Sequence, residues 1–183
     1  MSFGNIEDLN EVKKSYAYAK RDAEFAIQKL GHLGLKVSIA RCFAFVGKYL
    51  PRDQHFAIGN FISDGLARRD IILKANIKVY RSYMYADDLV EWLLTLADNA
   101  NINCPIFNVG SDREIEIRDL AKAVSIYFNV GVKYLSAINN SEIDRYIPSI
   151  EKAQKLLGLK EKFDINTSIM NAVSNFDDSS LKN

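Results

Sequence analysis

Residues 36–47 read Lys36-Val37-Ser38-Ile39-Ala40-Arg41-Cys42-Phe43-Ala44-Phe45-Val46-Gly47. β-Branched and aromatic residues crowd this stretch and charge is scarce. It therefore predicts a strand buried on both faces, as in a parallel sheet, running into a loop. Upstream, Val12, Ala19, Ala23, Ala26, Ile27 and Leu30 recur at helical spacing, with Gly31 and Gly34 as stop signals. Downstream the alternation continues. A helix is expected over 56–66, ended by Arg68-Arg69-Asp70, then short strands over 71–73 and 79–85. Asp87 and Asp88 are expected to cap a helix running to Ala97, with Leu89, Trp92, Leu93 and Leu96 on one face. A strand over 105–109 stops at Gly110. Helices are expected over 118–128, 149–157 and 165–176, with a strand at 130–135 and a frayed polar end at 177–183. This is an α/β or α+β pattern without repeats, low-complexity tracts or a flexible linker.

Composition narrows the function classes. A chain of 183 residues with 48% hydrophobic and 26% charged residues has the make-up of an ordinary globular domain. The net charge of +1 gives no electrostatic case for nucleic acid or an anionic membrane. No apolar run approaches the roughly 18 residues of a membrane span. The stretch from Met1 to Asp8 lacks the basic and apolar regions of a signal peptide. Cys42 and Cys104 lack metal or redox spacing and read as small core thiols, as expected of a cytoplasmic chain. His32 and His55 are too isolated to suggest a metal site, and none is expected.

The chemistry-bearing residues lie on the first helix. Tyr16 and Lys20 are four apart in Tyr16-Ala17-Tyr18-Ala19-Lys20, so they share a helix face. A cation beside a phenol favours the phenolate, which can serve as a general base towards a sugar or alcohol hydroxyl. The competing reading is a solvated helix face, since pairs at this spacing are routine.

The segment Tyr16 to Glu24 resembles the Y-x-x-x-K helix of the extended short-chain dehydrogenase/reductases, the NAD-dependent nucleotide-sugar epimerase/dehydratase family. Other segments match in the family's order. Arg41 to Gly47 resembles R-x-F-N-V-Y-G, and Gly59-Asn60-Phe61-Ile62 resembles its N-F-I motif. Arg81 to Leu89 is similar to R-[DS]-F-x-Y-V-D-D-L, and Phe107 to Ser111 with Ile115 to Ile117 is similar to Y-N-[VI]-G…S-I. Tyr146 to Gly158 is similar to the family's late P-S/D-x-x-K-A-x-x-L-G helix. The resemblance runs from about Ser15 to Val173.

It implies the C-terminal part of a Rossmann-like fold plus a small α/β substrate-binding subdomain. Residues 1–57 would be the remnant of the dinucleotide-binding domain. Residues 58–176 would form the nucleotide-sugar subdomain, with one strand near 105–110 returning to the sheet, and 177–183 a tail. Tyr16 would be the catalytic acid/base, and Lys20 would tune it while holding the nicotinamide ribose of NAD or NADP. Phe43 would lie against the nicotinamide, although plain core packing competes. Asn60, Arg81 and Arg145 would contact the diphosphate of a nucleotide-diphosphate sugar, a task suited to the planar arginine fork. Bland alternatives stand beside these: Asn60 bracing a turn, Arg81 a strand-end cation, Arg145 stacking on its aromatic neighbour.

The family opens with a glycine-rich turn that cradles the cofactor's pyrophosphate at a helix N-terminus. Fifteen residues precede Tyr16 and hold no such turn, nor a convincing catalytic Ser or Thr. Ala44 replaces the usual asparagine, Lys48 the usual proline, and Ala75 to Lys78 a Gly-Asp-Gly turn. The expectation is a truncated C-terminal half, inactive alone and without tight NAD(P) binding. The 36–45 strand would be an exposed edge that pairs with a complementing N-terminal chain or with a second copy. The competing function is a non-catalytic nucleotide-sugar binding module, or an inactive gene remnant.

Overall fold

A computed structural model describes residues 11–54, 56–137 and 139–174. His55 and the 175–183 end, including Phe176 of the last expected helix, lie outside the described residues. The described chain resolves into two units, each assembled from separated stretches of sequence.

The first unit comprises residues 1–42, 91–109 and 148–159. Its centre is a parallel pair, β1 (Ile39–Cys42) with β6 (Ile106–Val109), in the register Ile39 to Ile106 through Cys42 to Val109. Parallel strands need a long connection between them, and here more than sixty residues intervene. The helix α1 (Glu11–His32) precedes β1; it is rich in Ala, Lys, Glu and Gln, which lose little rotamer freedom in a helix. It ends where Gly34 takes a left-handed turn at φ 92°. Only Gly31 of α1 is buried, and its lack of a side chain permits this close approach: a Cβ there would lie 2.5 Å from the carbonyl oxygen of Ile102. Val12, Tyr16, Phe25 and Leu30 are exposed. Trp92 and Leu96 of α3 (Ala86–Asp98) are fully buried, each stabilising by roughly 1.5–3 kcal/mol or more through lost apolar exposure. Leu93, expected on the same face, is 36% exposed. The helix α5 (Glu151–Leu157) is tied in by Lys152, whose ammonium donates to the carbonyl of Ile106 at 2.8 Å and sits over the Phe107 ring.

The second unit comprises residues 43–90, 110–147 and 160–183. Its core is built around α2 (Ala57–Leu66) and α4 (Ile117–Phe128), both strongly amphipathic. Ile58, Phe61, Ile62 and Gly65 form one buried stripe, and Ile117, Leu120, Ala121, Val124 and Phe128 the other. Gly65 lets Phe128 pack against the helix backbone: a Cβ would sit 2.1 Å from its ring. Short strands surround the helices. The pairs β2 (Phe45–Val46) with β5 (Met84–Tyr85) and β3 (Ile71–Leu73) with β8 (Val132–Tyr134) are parallel. In the third sheet β4 (Ile77–Arg81) lies between antiparallel β7 (Ile115–Glu116) and parallel β9 (Asn139–Tyr146). The last helix, α6 (Ile165–Val173), starts at Asp164, whose carboxylate accepts from the Thr167 amide at 2.7 Å.

Three sequence expectations change. The strand foreseen within 36–47 and the one at 79–85 each divide, and their two parts join different sheets. Strand β9 is not foreseen: its segment Asn139-Asn140-Ser141-Glu142-Ile143-Asp144-Arg145-Tyr146 is exposed throughout and shows no buried alternation. Its backbone pairing with β4 makes it a strand. Asp88 does not cap its own helix; its buried carboxylate accepts from the amides of Lys162 and Phe163 at 3.0 and 3.3 Å, clasping the 160–163 segment.

Candidate functional site

Two sets of side chains carry the candidate chemistry, one in each unit. In the first, Tyr16 and Lys20 lie one turn apart on α1, with the Lys20 ammonium 5.6 Å from the centre of the Tyr16 ring. Both are exposed, Tyr16 by 67%, so its hydroxyl is open to a ligand. One turn further along the same stripe stands Glu24. Its carboxylate accepts from Nε and Nη2 of Arg41 at 2.7 and 2.6 Å, joining α1 to β1 through a two-pronged ion pair. The Arg41 hydrogen bond and charge hold the Glu24 carboxyl below its ordinary value of 4.5 despite partial burial. A group whose folded-state value is depressed contributes stability above its unfolded value and loses it as pH falls through the folded one. The melting-temperature gap between the native chain and Glu24→Gln should therefore be full above about pH 4.5 and close as the solution is acidified further. At this half-exposed position the gap corresponds to about 1 kcal/mol. A gap that stays constant down to the acid limit of folding would exclude a pH-linked role for the pair.

Cys42, expected in the core, is exposed at the end of β1, whereas Cys104 is buried. The alternation of a short strand, and not its composition, decides which residue faces the interior. Asn108 donates to the carbonyl of Ser149 at 3.0 Å, bracing the entry to α5.

In the second unit a cleft of about 960 Å³ opens among α2, β3, β4 and the 43–56 segment. This volume is within the range of about 300–1,000 Å³ usual for small-molecule sites. Phe43, Asn60 and Arg81 all line it. Phe43 is 9% exposed and stacks on Tyr146, ring centres 4.9 Å apart and planes inclined by 29°. Asn60 donates to the Gln54 carbonyl at 3.0 Å, bracing the loop before α2. Arg81 is gripped by Asp144, with Nη2 to Oδ2 at 2.7 Å and Nη1 to Oδ1 at 3.2 Å.

Arg145 is not brought to this cleft. In the β4–β9 register Tyr80 faces Arg145 and Arg81 faces Tyr146. Successive side chains on a strand point to opposite faces. Arg145 thus shares the face of Tyr80, its guanidinium 5.2 Å from that ring and paired with the Glu114 carboxylate. Asp144 and Tyr146 share the face of Arg81. Tyr83, also in the cleft wall, has its hydroxyl pushed up to about 12 by burial. Asp144 and Tyr146 drew no functional reading from the sequence. Only the cross-strand register puts them beside Arg81, and no local pattern announces it.

Residues 6–110 match the model of the NAD dependent epimerase/dehydratase family, more than half the chain. The chain belongs to this family. It is similar to UDP-glucuronic acid decarboxylase 2 of Arabidopsis thaliana, 29% identical over 180 residues, covering 95% of this chain and 39% of that protein. UDP-glucose 4-epimerase from Thermotoga maritima, solved with UDP-glucose, aligns at a TM-score of 0.75 and 20% identity over 91% of this chain and 54% of its own. dTDP-glucose 4,6-dehydratase from Bacillus anthracis, solved in complex with NAD, aligns at 0.72 and 15% identity over 91% and 51%. These structural likenesses establish the Rossmann-like epimerase/dehydratase fold. The chain spans about two-fifths of the Arabidopsis relative's length and about half of the solved structures.

Gly31 and Gly34 give the chain a G-x-x-G, but it closes the C-terminal end of α1, and Gly31 is packed against Ile102. Among the described residues no cluster of metal-ligating side chains occurs, and no helix is long and apolar enough to cross a membrane.

Proposed function

We propose that this chain carries the acid/base pair and the substrate cleft of an enzyme acting on nucleotide-diphosphate sugars, UDP-sugars in the first instance. The observation that carries the reading is the meeting of Phe43, Asn60 and Arg81 in one cleft, in a chain whose family relatives act on or bind UDP-sugars. Arg81 offers the planar, permanently charged fork that suits phosphate oxygens. The Phe43–Tyr146 stack gives an apolar wall for a ring. Tyr16 takes the proton from a sugar hydroxyl and returns it, and Lys20 stabilises the phenolate that forms. Arg145 has no part in this reading, since it lies on the other face of β9 and does not line the cleft.

The NAD(P)-binding glycine turn is not among these residues, so no step is assigned to the cofactor, and the chain by itself is proposed to bind NAD(P) weakly and to turn over little. Strand β1 supports the need for a further polypeptide: among the described residues it pairs with β6 alone, leaving its other edge and much of the apolar surface of α1 bare. A dinucleotide-binding segment or a second copy would cover them. A binding module without turnover is the second reading, favoured by the absence of that turn.

Titration of the chain with UDP-glucose and UDP-glucuronate, followed by calorimetry, tests the substrate class. Saturable binding displaced by UDP is expected. Absence of saturation with either sugar nucleotide and with UDP would remove the reading.

A further inference from the structure

We infer that Asp144 is a positioning residue for phosphate recognition, because it fixes the Arg81 guanidinium so that one free edge of the fork faces a ligand. The inference rests on the proposed phosphate role of Arg81 and names the residue that makes that role specific.

The geometry is set by β9. Arg81 and Tyr146 are register partners in the parallel β4–β9 ladder, and Asp144 stands two residues before Tyr146 on the same face. Asp144 holds the end of the guanidinium: Nη1 donates to Oδ1 at 3.2 Å and Nη2 to Oδ2 at 2.7 Å. The carbonyl of Tyr80, 2.8 Å from Nη1, and that of Asp144, 3.3 Å away, also accept from Nη1. An arginine has five N–H groups in a rigid plane. Once the Nη1–Nη2 end is taken, the side edge remains: the Nε–H and the second Nη2–H, parallel and adjacent. Neither has an acceptor among the described residues. Arg81 is among the residues that line the cleft and Asp144 is not. The free edge matches the two-point geometry of a phosphate group.

Asp144 has two opposed effects on an incoming anion. Its charge offsets that of Arg81 and weakens the long-range pull. Its hydrogen bonds hold a long, rotamer-rich side chain in one orientation, which removes an ordering cost from binding. With phosphate on the free edge, both carboxylate and ligand are satisfied together, so orientation outweighs the lost charge. The sign of the substitution effect separates the two possibilities.

The test compares UDP with uridine, which lacks the phosphates, on the full chain and on Asp144→Ala and Asp144→Glu. UDP affinity comes from calorimetry and uridine affinity from ligand-observed NMR. Asp144→Ala should weaken UDP about tenfold and leave uridine unchanged, and Asp144→Glu should recover most of the loss. Tighter UDP binding by Asp144→Ala would make Asp144 a competing counter-ion and overturn the inference. So would unchanged UDP affinity, or an equal weakening of UDP and uridine, which would mark a support of the fold. If the native chain binds UDP no better than uridine, the phosphate role of Arg81 itself fails and the inference falls with it.

Discussion

Replacing Tyr16 by phenylalanine is expected to lower turnover about 10²- to 10⁴-fold, the usual contribution of a positioned general acid/base. On the proposed reading, the assay combines the chain with a dinucleotide-binding half able to hold NAD(P). The substitution removes one oxygen from a residue that is 67% exposed on α1, so the fold has little to lose. Affinity for a UDP-sugar should change little, because the phenol acts on the reacting hydroxyl and not on the phosphates. On that reading Lys20→Met should follow in the same direction, since it removes the cation 5.6 Å from the ring centre. If Tyr16→Phe turned over at the native rate, the acid/base assignment would be wrong. If no combination with a dinucleotide-binding half produced turnover while UDP-sugars still bound, the chain would be a binding module.

Arg81→Ala should weaken UDP binding about 10- to 100-fold, the expected loss when a charged hydrogen-bonding group is removed. Arg81→Lys should restore only a small part, because an ammonium cannot present two parallel N–H groups. Uridine binding should be indifferent to both changes. Arg145→Ala provides the internal contrast: its guanidinium lies on the other face of β9, over Tyr80 and against Glu114. UDP affinity should survive it. Calorimetric titration of the three variants decides the matter, and equal losses for Arg81→Ala and Arg145→Ala would contradict the strand register as the basis of phosphate recognition.

Much of the fold was legible because its signals are local. The helices at 11–32, 57–66, 86–98, 117–128, 151–157 and 165–173 follow apolar stripes and stop residues lying a few positions apart. The relation of Tyr16 to Lys20 was equally legible, since four residues on one helix determine their own face. The strands were less so. The runs at 36–47 and 79–85 each looked continuous, yet each divides between sheets, because pairing is decided by distant partners: Ile39 with Ile106, Met84 with Phe45. Strand β9 was invisible, being exposed along its length. Asp88 looked like a helix cap and instead clasps the amides of Lys162 and Phe163, more than seventy residues away.

The sequence by itself determined the α/β class, the epimerase/dehydratase kinship, the helix face shared by Tyr16 and Lys20 and the candidacy of Phe43, Asn60 and Arg81. All of these are carried by short motifs whose residues are neighbours along the chain. It could not place Arg81 and Arg145, two arginines that the same resemblance offered for the same diphosphate. Tertiary structure separated them. The parallel register of β9 on β4 places Asp144 and Tyr146 on the face of Arg81 and turns Arg145 to the other side. A strand alternates with a period of two, so a slip of one residue would exchange the two faces. That register is held by backbone hydrogen bonds across more than sixty residues of sequence, where no local pattern reaches.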